Sequence, residues 1–156
     1  MRFADLCRAP SARASPAKEN MNDLFEVLLS WAVMLSGYSM PAQHPEVIMA
    51  SHATLEQMAC DGRHCRVMGW YPSGGKIYID DSLDLGDLYA SSIVVHEMVH
   101  YLQQTSGGHS STYSCAEAIA MEREAYAAQQ AYLIRYGVYR PIGSSMHLTH
   151  CVLAEK

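Results

Sequence analysis

The sequence predicts an α+β fold, and three observations carry that prediction. Apolar residues recur at helical spacing from Leu88 to Leu102, between Asp87 and the Gly107-Gly108 pair, with no proline in the interval. Residues Cys115 to Tyr136 contain neither glycine nor proline and are rich in alanine, glutamate, glutamine and tyrosine, the composition of a second long helix. Between residues 46 and 80 short β-favouring runs alternate with turn signals instead. With 156 residues and 49% apolar content, one domain can bury a sound core.

In chain order, residues 1–20 are rich in Ala, Pro, Ser and Arg and read as a flexible lead-in, with Met21 a conceivable natural start and 21–156 the single domain. An amphipathic helix capped by Asn22 or Asp23 follows, with Leu24, Leu28, Trp31 and Leu35 facing inward. Glu46 to Ala50 reads as a short buried strand, and Thr54 to Met58 as a short helix. Residues 65–71 and 76–80 flank Pro72-Ser73-Gly74-Gly75, a hairpin signal. In the next helix Leu88, Val95, Met98, Val99 and Leu102 form one apolar stripe, widened by Ile93 and Val94, so this helix reads as largely buried.

That helix contains His96-Glu97-Met98-Val99-His100. Side chains four residues apart project from one helical face, so the two imidazoles can grip one metal ion. Glu97 lies about 100° around the helix, where it can reach a water in an open coordination position. His96 and His100 share their stripe with Tyr89, Ser92 and Gln103. On the following helix Glu122 projects with Cys115, Ala118, Ile119, Ala125, Tyr126, Gln129 and Leu133, a core-facing set. Glu117 and Glu124 fall on the opposite side with Ala120, Ala128, Ala131 and Arg135, which reads as solvent-facing. An inward carboxylate needs a partner, which makes Glu122 the third ligand and Glu124 the fallback.

His96-Glu97-x-x-His100 followed by Glu122-Arg123-Glu124-Ala125-Tyr126 resembles the zincin metallopeptidases, specifically the gluzincin branch. Glu122 and Ala125 match the first and fourth residues of the Glu-x-x-Ala-Asp/Asn motif found in several of its families. Tyr126 stands where those families have Asp or Asn, a residue that commonly orients a ligand histidine. The metzincin pattern is not met, because Gln103 and Ser106 occupy its glycine and histidine positions. The resemblance covers roughly residues 75–136 and implies a minimal zincin-like domain. In that domain a small sheet or hairpin packs on the HExxH helix and the ligand-bearing helix. It implies Zn²⁺ held by His96, His100 and Glu122, with Glu97 as general base toward a zinc-activated water and a peptide or protein as substrate. It also places the strand from Lys76 to Asp80 at the cleft, where an extended peptide could pair with it; an ordinary hairpin strand fits the sequence equally. Candidate oxyanion donors are Tyr89, His109, Tyr113, His147 and His150. Two other classes stay open: a zinc-stabilised binding or regulatory domain without catalysis, and an amidase acting on a non-peptide substrate.

The net charge of −5, with no basic run, argues against nucleic-acid binding. No uninterrupted apolar stretch reaches the length of a membrane span. Residues 24–40 are apolar but lack a basic flank and carry Glu26, unlike a signal peptide. Cys60, Cys65, Cys115 and Cys151 form an even set. Cys60 could pair with Cys65, and Cys115 with Cys151; buried thiols, or a metal site from Cys60, His64 and Cys65, are the alternatives. Pairing would favour an extracytoplasmic setting.

Overall fold

The fold is α+β: four helices with a small three-stranded mixed sheet, described here from a computed structural model over residues 16–108 and 112–151. Helix α1 spans Pro16–Ser36, starting ahead of the expected Asn22 cap and crossing the boundary at residue 20. Proline suits a first helical position, where its missing N–H would have no helical partner. Gly37 ends α1 in the left-handed region (φ 78°), its N–H bonded to the Val33 carbonyl at 3.0 Å. Leu28, Leu29 and Ala32 are buried, while Leu24, Trp31 and Leu35 pack against the core from its margin.

Strand β1 (Glu46–Ala50) leads through helix α2 (His52–Ala59), whose first turn Ser51 caps, to the short strand β2 (Gly69–Trp70) and to β3 (Lys76–Asp80). The sheet order is β1-β3-β2. β1 runs parallel to β3, pairing Glu46 with Lys76 through Ala50 with Asp80. β2 is antiparallel to β3, pairing Gly69 with Ile79 and Trp70 with Tyr78. This order corrects two expectations. β1 is a half-buried edge strand rather than a buried one, since only β3 lies between neighbours. β3 is the central strand, paired along its length by β1 and at Tyr78 and Ile79 by β2; the outer edges belong to β1 and β2, and of these β2 lines the cleft described below.

Helix α3 (Leu88–Thr105) starts at Asp87, whose Oδ1 accepts from the Tyr89 and Ala90 amides at 2.8 and 3.1 Å. Helix α4 (Cys115–Arg135) starts with a capping box: Ser114 Oγ accepts from Glu117 N–H and the Glu117 carboxylate accepts from Ser114 N–H. The α3 stripe of Val94, Val95, Met98, Val99 and Leu102 meets Ile77 and Ile79 of β3, Leu28 and Leu29 of α1, and Ala125, Ala128 and Leu133 of α4. Removing each such branched apolar side chain from water contributes roughly 1.5–3 kcal/mol. α1 packs on α4 as well as on α3, so the α4 face expected in solvent is partly covered. Ala128 is buried and Glu124 half-buried there.

Cys60 is bonded to Cys65, and Cys115 to Cys151. The first bridge removes the alternative metal site of Cys60, His64 and Cys65, because its two sulfurs are bonded to each other. Two disulfides fit an oxidising compartment. Among the described residues no helix is long and apolar enough to cross a membrane.

Candidate metal centre

α3 and α4 pack closely, and that packing brings His96, His100 and Glu122 together. The His96 and His100 Nε2 atoms lie 3.1 Å apart. Glu122 Oε2 is 3.4 Å from His96 Nε2, and its Oε1 is 3.3 Å from His100 Nε2. Ligands at about 2.0–2.2 Å from a tetrahedral ion stand roughly 3.3–3.5 Å from one another. Each imidazole thus has one of the two Glu122 oxygens near that spacing, and the ligand atoms of all three side chains converge within 4.8 Å of one another. The arrangement suits an N,N,O-ligated ion, and it makes the group one that could hold a metal.

Electrostatics within the group are strongly coupled. Burial opposes charge on His100, but its bond to Glu122 and the Glu97 and Glu122 charges outweigh it and hold the ring up at about 9. Burial would raise Glu122 too, yet the two histidines pull it well below the ordinary carboxylate range. The two carboxylates thus favour positive charge on the imidazole side of the group.

The two rings are supported differently. His100 Nδ1 donates to Gln103 Oε1 at 2.8 Å, so Nε2 is the nitrogen turned to the centre, and its lone pair becomes available to a metal ion when the ion displaces its proton. Gln103 is itself fixed: its Nε2 donates to the Met121 carbonyl at 2.9 Å and to Glu124 Oε2 at 2.7 Å. Tyr38 O–H donates to the same Glu124 oxygen at 2.8 Å. Glu124, the fallback ligand, therefore anchors Gln103 and takes no place in the centre. By contrast, His96 Nδ1 is buried with no hydrogen-bond partner among the described residues. The Tyr126 ring packs edgewise on His96 instead, with centroids 4.5 Å apart. Gln103 shares the histidine stripe in the sequence, so its role had a visible signal; its partner Glu124 did not.

Glu97 is buried beside β2. A Cβ on Gly69 would lie 2.7 Å from Glu97 Oε1 and 2.8 Å from its Cγ, so the carboxylate occupies space that only glycine leaves open. Burial pushes the Glu97 carboxyl up, partly offset by the two histidines and by the Tyr71 amide, which donates to it.

All four residues line one cleft of about 540 Å³, a size suited to a ligand. Its other walls are residues 66–72, which include β2, and the side chains of Tyr89, Ile93, Tyr113, Met121, Tyr126 and Gln129. Of the expected oxyanion donors, Tyr89 and Tyr113 line the cleft. Tyr89 also stacks under the Arg140 guanidinium, 4.0 Å from its ring centroid. His150 is exposed, its Nδ1 3.0 Å from the Leu148 carbonyl, and does not line it. His109 and the His147 side chain lie outside the description. Tyr126, not anticipated as a donor, lines the cleft, and burial with the nearby Glu122 and Glu97 charges keeps its phenol protonated.

One family model, described as a domain of unknown function (DUF6647), matches residues 17–149. The chain belongs to the DUF6647 family. No curated protein and no solved structure was found to match it.

Proposed function

We propose that this DUF6647 chain is a zinc-dependent hydrolase, of the gluzincin-like metallopeptidase type, with His96, His100 and Glu122 as ligands and Glu97 as general base. The observation that carries the reading is the convergence of His96, His100 and Glu122 beside a buried carboxylate in an open cleft. Bound zinc would supply Lewis acidity toward a water and a carbonyl oxygen.

The chain's own residues supply the rest. Glu97, boxed between Gly69 and the Tyr71 amide, is held in one position, with its raised proton affinity suited to taking a proton and returning it to a leaving amine. The free edge of β2 borders the cleft, so an extended peptide can pair with it backbone to backbone. That edge takes over the role expected of β3. The phenols of Tyr126, Tyr89 and Tyr113 are the donors available to a developing oxyanion. The substrate class is a peptide or protein, and the disulfides fit action in an extracytoplasmic setting.

The test is Glu97→Gln assayed with zinc against a quenched-fluorescence peptide mixture. Wild type should cleave, and the variant should bind zinc equally while losing at least about 100-fold in rate. Equal turnover by both proteins would contradict the general-base assignment.

A further inference from the structure

A second group of donors lies outside the cleft, where α2 meets the end of β3 and the loop closed by Cys60–Cys65. His52 and Glu56 are four residues apart on α2, so they project from one face. His64 sits inside the disulfide-closed loop, which returns it to the same face. The donor atoms of His52, Glu56 and His64 lie within 4.8 Å of one another.

The orientation of His52 points to an occupant. Its Nδ1 lies 2.7 Å from Oδ2 of Asp80, a buried carboxylate whose other oxygen accepts from the Ser82 amide and hydroxyl at 3.0 and 2.7 Å. With one proton on Nδ1, the ring turns Nε2 toward two further oxygens, to which it donates while it carries a second proton. These are the Cys65 carbonyl at 3.1 Å and Glu56 Oε1 at 3.4 Å. When that second proton leaves, the Nε2 lone pair faces Glu56, and a divalent ion can take the proton's place. Glu56 Oε1 is fixed by the Cys65 amide at 3.1 Å and lies 2.5 Å from His64 Nδ1. A carboxylate behind a histidine whose other nitrogen faces a carboxylate and a second imidazole is the arrangement that surrounds bound zinc.

We propose that His52, Glu56 and His64 form a second site for a divalent ion of the zinc type, with Asp80 positioning His52. Two imidazoles and one carboxylate match the ligand preference of zinc. His64 is the exposed member, so it closes on the ion while His52 and Glu56 are held in advance. The site clamps the loop that runs from α2 through Cys65 into β2, and hence into the wall of the cleft. It stands independently of the hydrolase reading, because none of its residues lines that cleft.

The test is zinc stoichiometry by equilibrium dialysis and atomic spectroscopy on the full chain. Four proteins are compared: wild type, His64→Ala, the double variant His96→Ala/His100→Ala, and the triple variant. The proposal expects two, one, one and no tightly bound zinc ions respectively, with the second-site affinity falling at least about 10-fold in His64→Ala. Failure of the cleft centre alone reads differently, as one ion in wild type and none in His64→Ala. Unchanged stoichiometry and affinity in His64→Ala would overturn the second site, as would a folded double variant that binds no zinc. Should the double variant not fold, the pair of wild type and His64→Ala decides, because the His64 side chain is exposed and outside the core.

Discussion

The side-chain amide of Gln103 holds the imidazole of His100 from behind, accepting from Nδ1 at 2.8 Å while donating onward to Glu124. A chain of hydrogen bonds thus runs from Tyr38, two residues past α1, through Glu124 of α4 and Gln103 of α3, to the candidate centre. Two helices and the segment that follows α1 jointly fix one ring.

Replacing that amide should loosen the centre. Gln103→Leu is expected to weaken zinc binding roughly 10–100-fold in a chelator competition, the usual cost of losing a ligand's hydrogen-bond partner. Glu124→Gln should do much less, because an amide oxygen can still accept from Gln103 and Tyr38. Equal losses in both variants would show that the carboxylate charge, not the orientation of His100, matters.

At β2 the tolerance is steric. Gly69→Ala places a methyl group within 2.8 Å of the Glu97 side chain, so the carboxylate must move. Zinc affinity should stay within about threefold of wild type while the hydrolytic rate falls about 100-fold or more, since misplacement by about 1 Å can cost that much. Retained activity would mean that Glu97 works from another rotamer.

His96 has the opposite problem from His100, a buried nitrogen with no hydrogen-bond partner among the described residues. Tyr126→Asn offers an acceptor at the position where similar metallopeptidase motifs carry Asp or Asn. Zinc should bind about 10-fold tighter, and the melting temperature should drop because the ring packed on His96 and Gly143 is lost. Unchanged affinity would indicate that packing alone orients His96.

Alkaline pH probes the far end of the chain. Burial, with the bond and charge of Glu124, pushes the Tyr38 phenol up to about 12, against about 10 in an unfolded chain. The folded protein therefore holds this proton more tightly, so its contribution is complete below pH 10 and is lost as pH rises toward 12. Tyr38→Phe should be less stable at neutral pH by about 1 kcal/mol. It should also lose less stability between pH 10 and 12 in urea titrations. A parallel pH profile in both proteins would remove Tyr38 from the network.

The two central helices were legible because their signals are local. Asp87, the apolar stripe of α3 and the Gly- and Pro-free run of α4 each act within a few turns, and they fixed the face of Glu122. What stayed hidden depends on neighbours distant in sequence. A single-helix projection gives α4 one buried side, whereas α1 covers a second, which is why Glu124 and Ala128 were read as solvent-facing. The pairing of β3 with both β1 and β2 is likewise non-local, so the hairpin signal at Pro72-Ser73-Gly74-Gly75 revealed one neighbour and not the other. Gln103 lay on the right stripe, but its function exists only once Glu124 is beside it.

The central claim is most directly tested by anomalous diffraction at the zinc edge from crystals of the full chain grown with zinc. A peak within about 2.0–2.2 Å of His96 Nε2, His100 Nε2 and a Glu122 carboxylate oxygen is the predicted result. Zinc-containing crystals with no peak at this centre, or with a peak that leaves Glu122 outside coordination distance, would contradict it.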